Sequence, residues 1–108
     1  MTDPVNLENL RSMIDNDPEL EKELFDIFFQ SAQECLDVMR KSLEGNAAEN
    51  WGKAAHALKG TSLNLGADHL GHLCKDAQDS PNAPLEERSR ILASIEEEYN
   101  KVKKYLNR

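Results

Sequence analysis

From Leu20 to Leu43 the apolar residues return with the period of an α-helix. They fall at Leu20, Leu24, Ile27, Phe28, Ser31/Ala32, Cys35, Met39 and Leu43. Spacings of three and four place side chains on one helical face, and no stretch of the chain alternates as a strand would. The chain is therefore all-α. Breaks in the pattern delimit the helices. Asn16-Asp17-Pro18-Glu19 reads as a helix start, with Asn16 as the cap and Glu19 reaching back to it. Gly45 ends that run, and Asn46 with Glu49 forms a second cap pair. The next helix carries Trp51, Ala54, Ala55, Leu58, Thr61/Ser62 and Leu65 on one face and ends at Gly66. A fourth holds Leu70, Leu73, Cys74 and Ala77 and stops before Ser80-Pro81. Pro84 opens the last, with Leu85, Leu92, Ile95, Tyr99, Val102 and Leu106 in register. A short leading helix, about Leu7 to Ile14, covers one end. The connections are short, so neighbouring helices are expected to run antiparallel. The expected architecture is an up-down-up-down four-helix bundle with a short additional N-terminal helix, one domain over residues 1–108.

A chain of 108 residues buries roughly two thirds of its unfolded surface, enough for a core without staples. The formal net charge of −7 argues against nucleic acid, since neutralising phosphates needs a basic face. It disfavours an anionic membrane surface for the same reason. No apolar run approaches the ~20 residues of a membrane span, and MTDPVNLENL lacks the basic and apolar regions of a signal peptide. Cys35 and Cys74 fall at apolar helical positions and read as reduced core thiols, as expected of a cytoplasmic protein. The start methionine and the lack of linker-like ends favour a free-standing protein, and the four faces can bury one another, so a monomer is expected.

One local rule is broken, in AAHALKGTSLNLGA from Ala54 to Ala67. With about 100° per residue and His56 at zero, Trp51, Ala54, Leu58 and Leu65 cluster on the opposite side. His56 therefore faces solvent. Gly52 and Gly60 lie about 40° to either side of it, and Lys53 and Lys59 about 60° away. Each glycine inside a helix costs about 0.5–1 kcal/mol relative to alanine. Two of them beside one exposed histidine point to function. A neutral imidazole offers a nucleophilic nitrogen near neutral pH. Attack on phosphorus needs that lone pair, an open in-line approach, and cations for the phosphoryl oxygens. His56 supplies the first, Gly52 and Gly60 the second, and Lys59 part of the third. From Ala47 to Leu65 the charges are Glu49, Lys53 and Lys59, a net of +1 inside an acidic chain.

The run His56-x-Leu58-Lys59-Gly60-x-Ser62-x-x-x-Gly66-Ala67 resembles the signature of histidine-containing phosphotransfer (HPt) domains. The likeness extends to the acidic, Phe-rich helix before it and to Leu70-x-x-Leu73-Cys74 after it. It implies a four-helix bundle in which His56 takes a phosphoryl group from a receiver-domain aspartyl phosphate and passes it to another receiver aspartate. It assigns Lys59 to holding the phosphoryl group and Gly60 to leaving room for it. Gln78, 22 positions after His56, stands where the family often places an orienting Gln or Glu. Thr61 stands where serine is common. The implied partners are receiver domains of response regulators or hybrid histidine kinases, and the resemblance gives Mg²⁺ and the acidic pocket to them. No cofactor is expected here. Without a glycine-rich nucleotide loop the chain reads as a phosphocarrier and not a kinase. The alternative is a bundle that only docks a signalling partner, in which case binding survives His56→Gln and no phosphate is ever transferred.

Leu63, about 20° from His56, is a candidate for receiver docking, with Lys53 beside it. Phe25 and Phe29 lie at the edge of their helix's apolar arc, and either pack under the first helix or join the docking surface. His69 and His72 stand one turn apart, with no further ligand at good spacing except Asp68, Asp76 or Asp79, so they are assigned to a solvated face and no metal is expected. Glu96-Glu97-Glu98, followed by Lys101, Lys103 and Lys104, is likewise read as solvated.

Overall fold

The computed structural model describes residues 3–45 and 47–107, and every regular element among them is a helix. These are α1 (Glu8–Met13), α2 (Pro18–Gly45), α3 (Ala48–Leu65), α4 (Asp68–Gln78) and α5 (Leu85–Leu106). Asp17, not Asn16, caps α2. Its Oδ1 accepts the backbone N–H groups of Glu19 and Leu20 at 3.0 and 3.3 Å. Proline then fills the first helical position, where its missing N–H costs nothing. Asn16 is spent on the turn before the cap: it and Asp15 take left-handed φ values of 59° and 58°. Glu19 contributes its backbone N–H and not its carboxylate. The expected cap at Asn46 lies outside the described residues, while Glu49 pairs with Lys53 at 3.0 Å.

α3 ends as the sequence requires. Gly66 sits at φ 101°, and the N–H groups of Gly66 and Ala67 turn back to Leu63 and Ser62, closing a Schellman motif. The Gly66 carbonyl accepts the Asn6 N–H at 3.0 Å, which ties the leading segment to this corner. Asn6 in turn accepts the N–H of Glu8 at the start of α1.

α2 packs on α3, α3 on α4, α4 on α5, and α5 on α2. Their buried apolar side chains form one cluster, with Trp51, Leu36, Met39, Leu58, Leu70, Ile95 and Val102 fully enclosed. Val5, Leu7 and Leu10 close one end. The stripe of α2 differs from the expected one. It runs through Phe28, Ala32, Leu36, Met39 and Ser42. Leu20 and Ile27 lie about 100–120° from the centre of that stripe and are exposed, Ile27 by 62%. Leu85 is also exposed, at the first residue of α5. The acidic run is not uniformly solvated. Glu98 is buried beside His69 and Lys101, and Glu96 bonds Arg40 at 3.1 Å. Both cysteines carry free thiols; burial pushes that of Cys74 up to about 12 and raises that of Cys35.

Candidate functional site

α3 turns two faces in opposite directions. Trp51, Ala54, Leu58 and Leu65 enter the core, and His56 is exposed on the other side. A Cβ added at Gly52 or Gly60 would meet nothing within 4 Å. Neither glycine is needed for helix packing, so their effect is to leave backbone bare above and below the imidazole.

The α3–α4 corner folds α4 back along α3 and brings its last residue to the ring. Gln78 Nε2 lies 3.1 Å from His56 Nδ1. With Nδ1 engaged by α4, Nε2 is the ring nitrogen left for an incoming group. The other amide atom, Gln78 Oε1, is buried and has no partner among the described residues.

The two lysines differ in availability. Lys53 is committed to Glu49 in an i, i+4 pair. Lys59 makes no ion pair among the described residues. A cation with no carboxylate to displace is the better partner for an arriving anion. Thr61 does not contribute its hydroxyl, which is bonded to the carbonyls of Ala57 and Leu58 within its own helix.

A groove of about 580 Å³ opens on the upstream side of the ring, lined by Ala48, Gly52, Lys53, His56, Gln78 and Pro81 among others. Gly60 and Lys59 lie outside it. Leu63 is 42% exposed, on the His56 face as expected. Its side chain also rests over Gly71 of α4, where a Cβ would come within 2.5 Å of Leu63 Cδ2. Gly71 thus lets α4 approach α3 closely. Its only sequence signal is a glycine in a helix interior.

Phe25 and Phe29 are half-buried and packed against the core. The exposed apolar residues of α2 are instead Leu20, Ile27 and Val38. Ile27 shares a shallow depression with Thr61 and Asn64 of α3, and Val38 shares another with Asn50 and Lys53. These three residues form a stripe on the flank of the His56 face. Leu20 and Ile27 carry no surface signal in the sequence because they fit the apolar period of α2.

A family model described as Hpt domain matches residues 23–105 of the chain. Neither the curated proteins nor the solved structures gave a match.

Proposed function

The chain belongs to the Hpt domain family, which implies histidine phosphotransfer in phosphorelays, and from that premise we propose that His56 is the residue that carries the phosphoryl group. The observation that carries the proposal is the ring's environment: Nδ1 held by Gln78, Nε2 left open, and an unpaired Lys59 one turn away. In the proposed step the Nε2 lone pair attacks the phosphorus of a receiver's aspartyl phosphate. A P–N bond forms as the P–O bond to the aspartyl carboxylate breaks, and the carboxylate leaves. Passing the group to a second receiver reverses these roles.

Attack requires the neutral tautomer with its proton on Nδ1. A half-turn of the Gln78 amide places Oε1 where it accepts that proton's hydrogen bond, which frees Nε2. Lys59 then faces the phosphoryl oxygens, and Gly60 and Gly52 keep the approach clear. Mg²⁺ and the acidic pocket come with the receiver. The chain acts as a phosphocarrier with no nucleotide site of its own. The receiver docks over Leu63 and the exposed stripe of α2, with Lys53 at the rim and Phe25 and Phe29 offering only their exposed edges.

The proposed scaffold is an antiparallel up-down-up-down bundle working as a cytoplasmic monomer. Two sets of cross-helix pairs support the direction: Gln33 with Tyr99 and Arg40 with Glu96, and His56 with Gln78 and Leu63 with Gly71. In each, the number rises on one helix as it falls on the other. Among the described residues no helix is long and apolar enough to cross a membrane.

The test is incubation with a receiver domain loaded with radiolabelled phosphate. Acid-labile, alkali-stable label should appear on this chain as it leaves the receiver; label that never moves refutes transfer. Lys59→Ala should slow transfer about tenfold or more, the size of a charge-assisted contact, with an unchanged melting curve. An unchanged rate removes Lys59 from the mechanism. Gly60→Ala should separate stability from function. With open space around the new methyl, it should stabilise the helix by about 0.5–1 kcal/mol, raising Tm by about 2–6 °C. Transfer should slow because the methyl stands in the approach. A faster or unchanged rate would show that the glycine serves something else.

A further inference from the structure

Trp51 is five residues before His56 and points the other way, into the core, where it is fully buried. Its indole Nε1–H donates to the Ala77 carbonyl at 2.8 Å. Ala77 is the residue before Gln78, at the end of α4. The last carbonyls of a helix lack partners within it, and the final turn frays unless something else holds it. Here the indole holds it, together with the Ser80 N–H at 3.1 Å. The indole is donor-only, so this is the one hydrogen bond it can make.

Arg88 of α5 braces the same corner. It is 6% exposed, its guanidinium lies over the Trp51 ring at 5.9 Å, and its Nε donates to the Ala83 carbonyl at 2.9 Å. A line of contacts therefore runs from α5 and the α4–α5 connection through Trp51 to Ala77, and from the next residue to the His56 ring. α3 presents the ring on one face and clamps the helix that orients the ring with the other.

We infer that Trp51 and Arg88 are positioning residues that fix the end of α4 so that the Gln78 amide reaches His56 Nδ1. The inference deepens the phosphotransfer reading and rests on it for its kinetics; its spectroscopic test does not depend on transfer. Trp51→Phe removes the N–H and keeps most of the ring. In histidine-labelled protein, the His56 Nδ1 ¹⁵N shift should move toward the value seen in Gln78→Ala. The double variant should match Gln78→Ala alone. Transfer from a phosphorylated receiver should slow about three- to tenfold, the worth of one neutral hydrogen bond, and this loss should vanish in the Gln78→Ala background.

An unmoved Nδ1 shift in folded Trp51→Phe overturns the inference. So does a Trp51→Phe defect of equal size with and without Gln78. If Trp51→Phe does not fold, Arg88→Met decides: it releases Ala83 and the ring contact but leaves the indole bond in place. It should shift Nδ1 in the same direction by a smaller amount, and no shift overturns the inference. If phosphate never reaches His56 at all, the spectra alone still decide whether Trp51 positions Gln78.

Discussion

His56→Gln is expected to abolish receiver-dependent labelling, by at least about a thousandfold, the scale on which loss of a nucleophile is felt. The reason is local. Glutamine has no nucleophilic lone pair on its amide nitrogen, while it occupies a similar volume on an exposed helix face. The residues beneath it, Trp51, Ala54, Leu58 and Leu65, are buried on the opposite side and are not touched. Stability should therefore change by less than about 0.5 kcal/mol, so that loss of label cannot be blamed on unfolding. Two other histidines are present, His69 and His72, both exposed on α4. His69 faces Glu98 at 3.9 Å, neither has a glycine of α4 one turn away as His56 has in α3, and Lys75, one turn from His72, is paired with Asp79. Residual acid-labile phosphate on His56→Gln at the wild-type level would move the site elsewhere.

The largest effect on the fold is expected from Gly66→Ala. Gly66 sits at φ 101°, in the left-handed region where a Cβ is strained. A methyl there would also collide with the Asn6 carbonyl oxygen. That oxygen cannot simply withdraw, because the Asn6 N–H is bonded to Gly66 itself. The two costs together come to about 3 kcal/mol, enough to lower Tm by roughly 10 °C or more. The corner sets the register of α4 on α3, so the Gln78–His56 contact should weaken along with stability. A melting curve for Gly66→Ala within a degree or two of wild type would mean that this corner is not the constraint proposed. Gly60→Ala, the same substitution six residues earlier, should act with the opposite sign, because Gly60 is inside the helix with open space around it.

Much of the site is legible from spacing. Trp51, Leu58 and Leu65 recur with the helical period, so His56 had to face outward, and the glycines flanking it follow from the same step. Gly66 marks the end of α3 because a glycine takes a left-handed corner without strain. Gln78 is different. Nothing within its own helix singles it out; its place came from the family resemblance, and the structure sets its amide against the ring.

Other features depend on how helices meet, which periodicity does not encode. Leu20 and Ile27 fit the apolar period of α2 well, yet the core takes a narrower stripe through Leu36 and leaves them outside. Asn16 and Asp17 are both good caps, and the choice was made by Pro18, which suits the first helical position. Glu98 looks like one of three equivalent acids and is buried because α4 crosses it. The bond from Trp51 to Ala77 joins residues 26 apart and exists only once α3 and α4 are in register.

The most direct measurement is NMR of the uniformly ¹⁵N-labelled chain after loading by a phosphorylated receiver. The account predicts a single phosphorus resonance coupled to Nε2 of His56, with Nδ1 still showing the shift of a nitrogen hydrogen-bonded to Gln78. Coupling to Nδ1, or to a nitrogen of any other residue, would contradict it.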